Sequence, residues 1–241
     1  LEDLLFGNLD ILKGKNVLEV GSGAGRFTEH ICKYADRCVS VDLSSAIFHN
    51  VAASEKNVTR IKADFLKLDP KEKFDVVICR GVLQHTPDPK KSILKLHDFI
   101  SPDVGRVYFD IYPMPKVGKL HPKYCFWRPL FKTFISYESC NDFLKRHIKS
   151  LLKIKRTIKK MMFGSDFLSD SFIPVWDYKG KIDLDNDQLE IWAILDTLDG
   201  LYAQFDYPMS NKSVTSLINQ NGIDLQQTDK TRNFFKTSVS A

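Results

Sequence analysis

Val17-Leu18-Glu19-Val20-Gly21-Ser22-Gly23-Ala24-Gly25-Arg26-Phe27-Thr28-Glu29 is the stretch on which the reading of this chain turns. Four residues of buried-strand type run into Gly21, Gly23 and Gly25, and a helical pattern follows. A strand that stops at a glycine-rich turn and hands over to a helix start suits a nucleoside-type ligand. Glycines let the backbone come close, and a helix N-terminus offers free N–H groups. Dinucleotide sites carry G-x-G-x-x-G; here the spacing is G-x-G-x-G, and Arg26 follows.

Further strand-like runs follow in order. Arg37 to Val41 ends at Asp42, and an acid about 20 residues past such a turn suits a bidentate hydrogen bond to ribose hydroxyls. Val58 to Lys62 leads into Ala63-Asp64-Phe65. Phe74 to Cys79 leads into Arg80-Gly81-Val82-Leu83-Gln84-His85-Thr86-Pro87-Asp88-Pro89, and Gly105 to Tyr112 is a fifth strand. Each acid also has a plainer reading as a helix cap.

Glu19, the Gly21-to-Gly25 turn and the Arg80-to-Pro89 run together resemble the class I S-adenosylmethionine (SAM) methyltransferases of the type 11 group. The usual form of that group has His-His where this chain has Gln84-His85. The resemblance implies a Rossmann-like α/β fold: a seven-stranded, mostly parallel sheet with its last strand antiparallel. It implies SAM as cofactor and S-adenosylhomocysteine as product. Glu19, Gly21, Ser22, Gly23, Gly25, Asp42, Leu43, Asp64, Phe65, Arg80 and Gly81 are then the expected cofactor contacts. Asp64 would meet the adenine amino group, with its neighbour packed on the ring.

Residues 1–112 and 208–241 are expected to form this core. Ser210 to Asn221 reads as a closing helix, with Val214, Leu217 and Ile218 at helical spacing and Gly222 as its stop. Ile223 to Thr228 and Arg232 to Val239 read as the final hairpin. Residues 113–207 are too long for an unstructured loop and are expected to be a mainly helical cap over the carboxyl ends of the strands. Within it Asn141 to Met162 is periodic, with Phe143, Leu144, Ile148, Leu151, Leu152, Ile158, Met161 and Met162 on one face and basic residues mostly on the other. Gln188 to Tyr202 is a second helix. Trp127-Arg128-Pro129, Gln188 to Asp199 and Phe205-Asp206-Tyr207-Pro208 resemble a subgroup of the same enzymes. Tyr112, Tyr124, Trp127, Arg128, Trp192 and Tyr202 are the expected acceptor contacts.

Alignment of an acceptor with an activated methyl group needs positioning above all. A hydroxyl acceptor also needs a base, and His85, just past the fourth strand, is the candidate; packing against the cofactor is its alternative. His121, Tyr112, Asp110 and Tyr202 rank behind it. The fourth strand lacks the Asn/Asp-Pro-Pro-Tyr/Phe run of enzymes that methylate the exocyclic amines of DNA bases. No carboxylate triad suggests Mg²⁺, so no metal is expected.

Charge is unevenly spread. From Lys116 to Met162 there are 13 Lys or Arg against Glu138 and Asp142, in a chain of net charge +5. A solvated helix face, an anionic or sugar-containing acceptor, a peripheral membrane contact through 141–162, and RNA all remain open for this run. The five cysteines form no C-x-x-C pair, so neither a zinc site nor a disulfide framework is expected. No signal-peptide pattern opens the chain, and a reducing, cytoplasmic setting is the expectation. The functional reading is methyl transfer to an oxygen of a small molecule. RNA methylation through the basic run and a non-catalytic SAM-binding regulatory role are its alternatives.

Overall fold

A computed structural model describes residues 1–115, 117–180 and 184–239. The chain divides into two compact units: Leu1–Met114 with Tyr207–Ala241, and Pro115–Asp206.

The first unit is built on seven strands: β1 Asn16–Val20, β2 Arg37–Asp42, β3 Val58–Lys62, β4 Val76–Cys79, β5 Arg106–Asp110, β6 Ile223–Asp229 and β7 Phe234–Val239. Their order in the sheet is β3-β2-β1-β4-β5-β7-β6. β1 to β5 are mutually parallel, and β7 lies antiparallel between β5 and β6. This is the sheet expected from the sequence, with the last strand reversed.

The central strands read as continuous apolar runs because both faces are covered. Side chains alternate across the pleat, so each strand feeds two cores. Leu18, Val20, Val77, Cys79, Val107 and Phe109 face one core. Val17, Cys38, Val76, Ile78 and Tyr108 face the other, where Leu4, Leu5 and Leu12 close the layer. Those N-terminal leucines had no expected role; their turn and the short 3-10 helix Leu9–Leu12 carry no strong period. Parity also puts Glu19 on the Val17 face, in the middle of a buried layer.

The helix expected after the glycine turn is short: α1 is only Thr28–Ile31. Gly21, Gly23 and Gly25 all hold positive φ, which keeps the turn out of helical geometry. At the other end, the Asn57 carboxamide donates to the Cys32 and Ala35 carbonyls (2.8 and 2.9 Å), taking acceptors that a longer helix would use. α2, Pro89–His97, is capped by Asp88, whose carboxylate accepts from the Lys90 and Lys91 N–H groups.

Within the second unit, α3 (Arg128–Phe134), α4 (Tyr137–Met161), α5 (Asp166–Phe172) and α6 (Asn186–Tyr202) enclose their own core; α7 (Asn211–Gln220) belongs to the first unit. Cys140, Leu144, Ile148 and Leu152 recur every fourth residue along α4 and pack with Val175, Ala193 and Leu198. α6 starts on a capping box between Asp185 and Gln188. Part of the expected apolar face of α4 is corrected: Phe143 and Met161 are exposed, and Met162 lies past the helix end. Phe143 and Met161 each stand nine residues from Leu152, which at about 100° per residue puts them about 180° away from it on the opposite side of the helix. Among the described residues no helix is long and apolar enough to cross a membrane.

Candidate active site

The candidate cofactor residues cluster at the carboxyl ends of β1, β2, β3 and β4, the edge of an open α/β sheet where ligands bind. Glu19 is almost completely buried. Its Oε2 accepts from Thr28 Oγ1 (2.5 Å) and Ser40 Oγ (3.0 Å), while Oε1 has no partner in the protein. Burial, opposed by those two hydroxyls, pushes its carboxyl up to about 7. Ser22 is buried beside it in sequence terms, at the turn, and its hydroxyl is also unpartnered. Unsatisfied buried polar atoms are rare and costly in native folds.

The three glycines do different work. A β-carbon at Gly21 would overlap the Val82 side chain, and one at Gly25 would overlap the Asn50 carboxamide. Asn50 in turn donates to Thr28 Oγ1 (2.9 Å) and so tightens the Glu19 network. Only Gly23 opens onto free space. Close approach of a ligand to the backbone is therefore a matter for Gly23, and the other two glycines serve internal packing.

Asp42 accepts from Gly23 N–H through Oδ2 (2.7 Å) and from Ser44 N–H and Oγ–H through Oδ1 (2.7 and 2.6 Å). A carboxylate has about four acceptor sites, so two ribose hydroxyls would have to replace at least one of these donors. Asp64 caps the 3-10 turn Phe65–Lys67 through a bond from Leu66 N–H (3.1 Å). Leu43 is 70% exposed, whereas Phe65 is buried in the core with Val41 and Leu83. A ring held there has little surface left for a ligand, because the turn after β3 points it into the sheet layer.

Arg80 is likewise engaged. Its guanidinium lies over the rings of Phe27 (5.0 Å) and Phe234 (5.5 Å) and 4.0 Å from Asp110. Asp110 accepts from the Gly81 N–H (2.6 Å), and burial raises its carboxyl above the ordinary range. The pair fixes the backbone leaving β4. His85 follows in the turn Leu83–His85, its ring edge-on to that of Tyr112 (centroids 5.5 Å apart). Gln84, which stands in place of the family's usual first histidine, is fully buried. Its main-chain oxygen accepts from Tyr207 N–H (2.9 Å), its Oε1 from Tyr112 N–H (3.4 Å), and its Nε2 has no partner. Gln84 stands out in the sequence only as a departure from the usual His-His, and Thr28, Ser40 and Asn50 carry no sequence signal of their own.

The acceptor candidates Tyr124, Trp127, Arg128, Trp192 and Tyr202 all fall in the second unit, and several hold its structure. Arg128 is buried, donating to the Gly200 and Ala203 carbonyls (both 2.7 Å) at the end of α6 and pairing with Asp206 (3.4 Å). Trp127 donates to the Ser171 carbonyl (3.1 Å), and the Tyr202 hydroxyl to the Ile135 carbonyl (3.2 Å). Asp206, from the run before α7, is the buried counter-charge of Arg128 and Lys123 (2.5 Å). Tyr112 belongs to the first unit and Trp192 meets Tyr178 edge-on at 6.0 Å.

The basic run of α4 is also partly internal. Arg156 forms a two-pronged pair with Asp177 (2.7 and 2.8 Å), Lys159 meets Asp166 (2.5 Å) and Lys149 meets Glu190 (3.6 Å). Lys155 is buried, donating to the Val175 carbonyl and Asp170. Lys145, Arg146, Lys153 and Lys160 remain as exposed charge on this helix. Among the described residues no cluster of three His, Cys, Asp or Glu could hold a metal ion.

Residues 3–156 match a family model described as a methyltransferase domain. Curated relatives include the ubiquinone biosynthesis O-methyltransferase of Coxiella burnetii, 30% identical over 104 residues, covering 41% of this chain and 44% of that protein. The protein of the same name from Neisseria meningitidis is 31% identical over 129 residues, covering 49% and 52%. The chain thus spans about half the length of these curated relatives. Among solved structures, the magnesium protoporphyrin IX methyltransferase of Synechocystis PCC 6803, with bound S-adenosylhomocysteine, covers 98% of this chain and 78% of its own (TM-score 0.51, identity 15%). At that identity the likeness is one of fold.

Proposed function

Because the chain belongs to the methyltransferase-domain family, we propose that it is a SAM-dependent methyltransferase acting on an oxygen of a small molecule. The observation that carries this reading is the pair of unpartnered buried polar atoms, Glu19 Oε1 and Ser22 Oγ, on the strand end and turn whose Gly23, unlike Gly21 and Gly25, opens onto free space. An amino acid end with N–H donors and carboxylate acceptors would satisfy them. Asp42 would hold the ribose hydroxyls by exchanging a bond now made to Ser44 or Gly23, and Asp64 would meet the adenine edge. The cofactor supplies a methyl group already activated on a sulfonium.

The remaining work belongs to the chain. His85, placed by the turn after β4 and steadied by Tyr112, takes the proton from the acceptor hydroxyl. The Arg80–Asp110 pair holds Gly81 and the turn that carries His85. Gln84 locks that turn to the backbone at Tyr112 and Tyr207.

Mass spectrometry of the denatured protein should find SAM or S-adenosylhomocysteine carried through purification. Turnover should appear with hydroxylated small molecules and be absent with RNA. A protein that neither retains nor binds SAM in calorimetry would overturn the reading, and SAM binding without turnover on any hydroxylated acceptor would favour a regulatory role.

A further inference from the structure

Packing of α4 against the core of the second unit uses one side of the helix, and the opposite side carries a pattern of its own. Phe143, His147, Ile154 and Met161 fall on one line, about 180–220° around the helix from buried Leu152 at about 100° per residue. Ser150 and Thr157 fill the line without charge, and all six are exposed. Beside it run Arg146, Lys153 and Lys160, seven residues apart and also exposed. Among the described residues these three form no ion pair, whereas Lys149, Lys155, Arg156 and Lys159 are each answered by a carboxylate.

The line ends in an apolar tip. Met161 closes α4 at 71% exposure, and Phe163 stands wholly clear of the chain. The turn is held by the Met162 N–H on the Ile158 carbonyl (2.9 Å) and the Gly164 N–H on the Lys159 carbonyl (2.8 Å), with Phe163 at φ +53°. Left-handed backbone is uncommon outside glycine and asparagine; here it turns an aromatic ring out of the protein. Phe167 and Leu168, four and five residues on, are exposed as well. Single exposed apolar residues need no partner, but an apolar line ending in an aromatic tip and flanked by unpaired cations calls for one.

Charge and shape name that partner. A second copy would set a line of cations against itself. A folded protein would need a ready socket for a ring that stands proud of its own chain, whereas a fluid bilayer yields around it. A basic line beside an apolar one suits the interface of an anionic membrane. We propose that the outer face and C-terminal tip of α4 form a peripheral binding surface for anionic phospholipid bilayers. Phe163 and Met161 enter the boundary between headgroups and acyl chains, and Arg146, Lys153 and Lys160 meet the headgroup phosphates. The surface lies wholly within the second unit and stands independently of methyl transfer.

Flotation of the full chain with vesicles tests this. Vesicles of equal parts phosphatidylglycerol and phosphatidylcholine should carry the protein, and phosphatidylcholine alone should bind it about tenfold or more weakly. Added salt should weaken the binding, since exposed charges are screened over roughly 8–10 Å. Lys153→Gln and Lys160→Gln should each weaken it about fivefold. Phe163→Asn suits the left-handed turn, so the melting temperature should hold while vesicle affinity falls about tenfold or more. Phe163→Trp should give blue-shifted emission on vesicles, quenched by brominated acyl chains. Failure of the unmodified protein to float with the anionic vesicles overturns the proposal. So does vesicle binding that ignores Phe163→Asn and leaves Phe163→Trp unquenched, which is adhesion by charge alone. Saturable binding of polyglutamate without vesicle binding would assign the cations to an acidic polypeptide instead.

Discussion

Glu19→Gln isolates the cost of burying one carboxylate in the β1 layer. The free carboxyl titrates near 4.5 and the folded one near 7, raised first by burial. The folded state therefore holds its proton more tightly than the unfolded chain. Stability from this proton is fully present below about 4.5 and drains away as pH rises through about 7. At about 1.4 kcal/mol per pH unit the difference comes to about 3 kcal/mol. Glutamine keeps an acceptor for Thr28 and Ser40 and carries no titrating proton. Wild-type stability should fall relative to the variant by about 3 kcal/mol between pH 4.5 and 8. A chain of this size shifts by about 2–4 °C per kcal/mol, so the two melting temperatures should move by roughly 6–12 °C relative to each other. Thermal melts by circular dichroism in matched ionic strength measure it directly. A gap between the two proteins that stays constant across that range would falsify the desolvation argument, because Thr28 and Ser40 would then offset burial completely.

Asp42→Ala should weaken SAM binding about tenfold or more, by about 1–3 kcal/mol for the unpaired hydroxyls, and calorimetry that finds unchanged affinity would remove Asp42 from the ribose. His85→Ala should slow turnover by about 10²–10⁴ with SAM still bound; near-native rates would return His85 to packing. Arg128→Ala should destabilise the second unit by about 3–5 kcal/mol, seen in urea melts, because it strips a buried partner from Asp206 and donors from the end of α6. On α4, Lys153→Ala should leave stability within about 0.5 kcal/mol, whereas Arg156→Ala should lower it measurably by freeing Asp177; equal effects would mean the ion pairs carry no weight.

Local pattern carried much of this protein. Val17 to Gly25, the acids at the ends of β2 and β3, and the apolar run of β4 are local patterns, and their resemblance to the type 11 methyltransferases supplied the seven-stranded sheet with its last strand reversed, whereas the order of strands came only with the structure. Leu144, Ile148 and Leu152 of the expected face of α4 are its buried line, while Cys140 joins them and Phe143 and Met161 leave them only in the folded chain. Other properties depend on partners far along the chain. Gly25 is required by Asn50 and Gly21 by Val82, and only Gly23 faces open space. Arg128 meets Gly200 and Asp206 some seventy residues away, which turned an expected acceptor contact into a brace. Lys155 reads as one more surface cation until α4 is packed against Val175 and Asp170. The charge state of Glu19 was equally invisible, since its letter is the same whether water or the Thr28 and Ser40 hydroxyls and apolar side chains surround it. Sequence sets which groups are present and their local periodicity; burial and long-range pairing, which fix what those groups cost and what they can do, exist only once the chain has closed on itself.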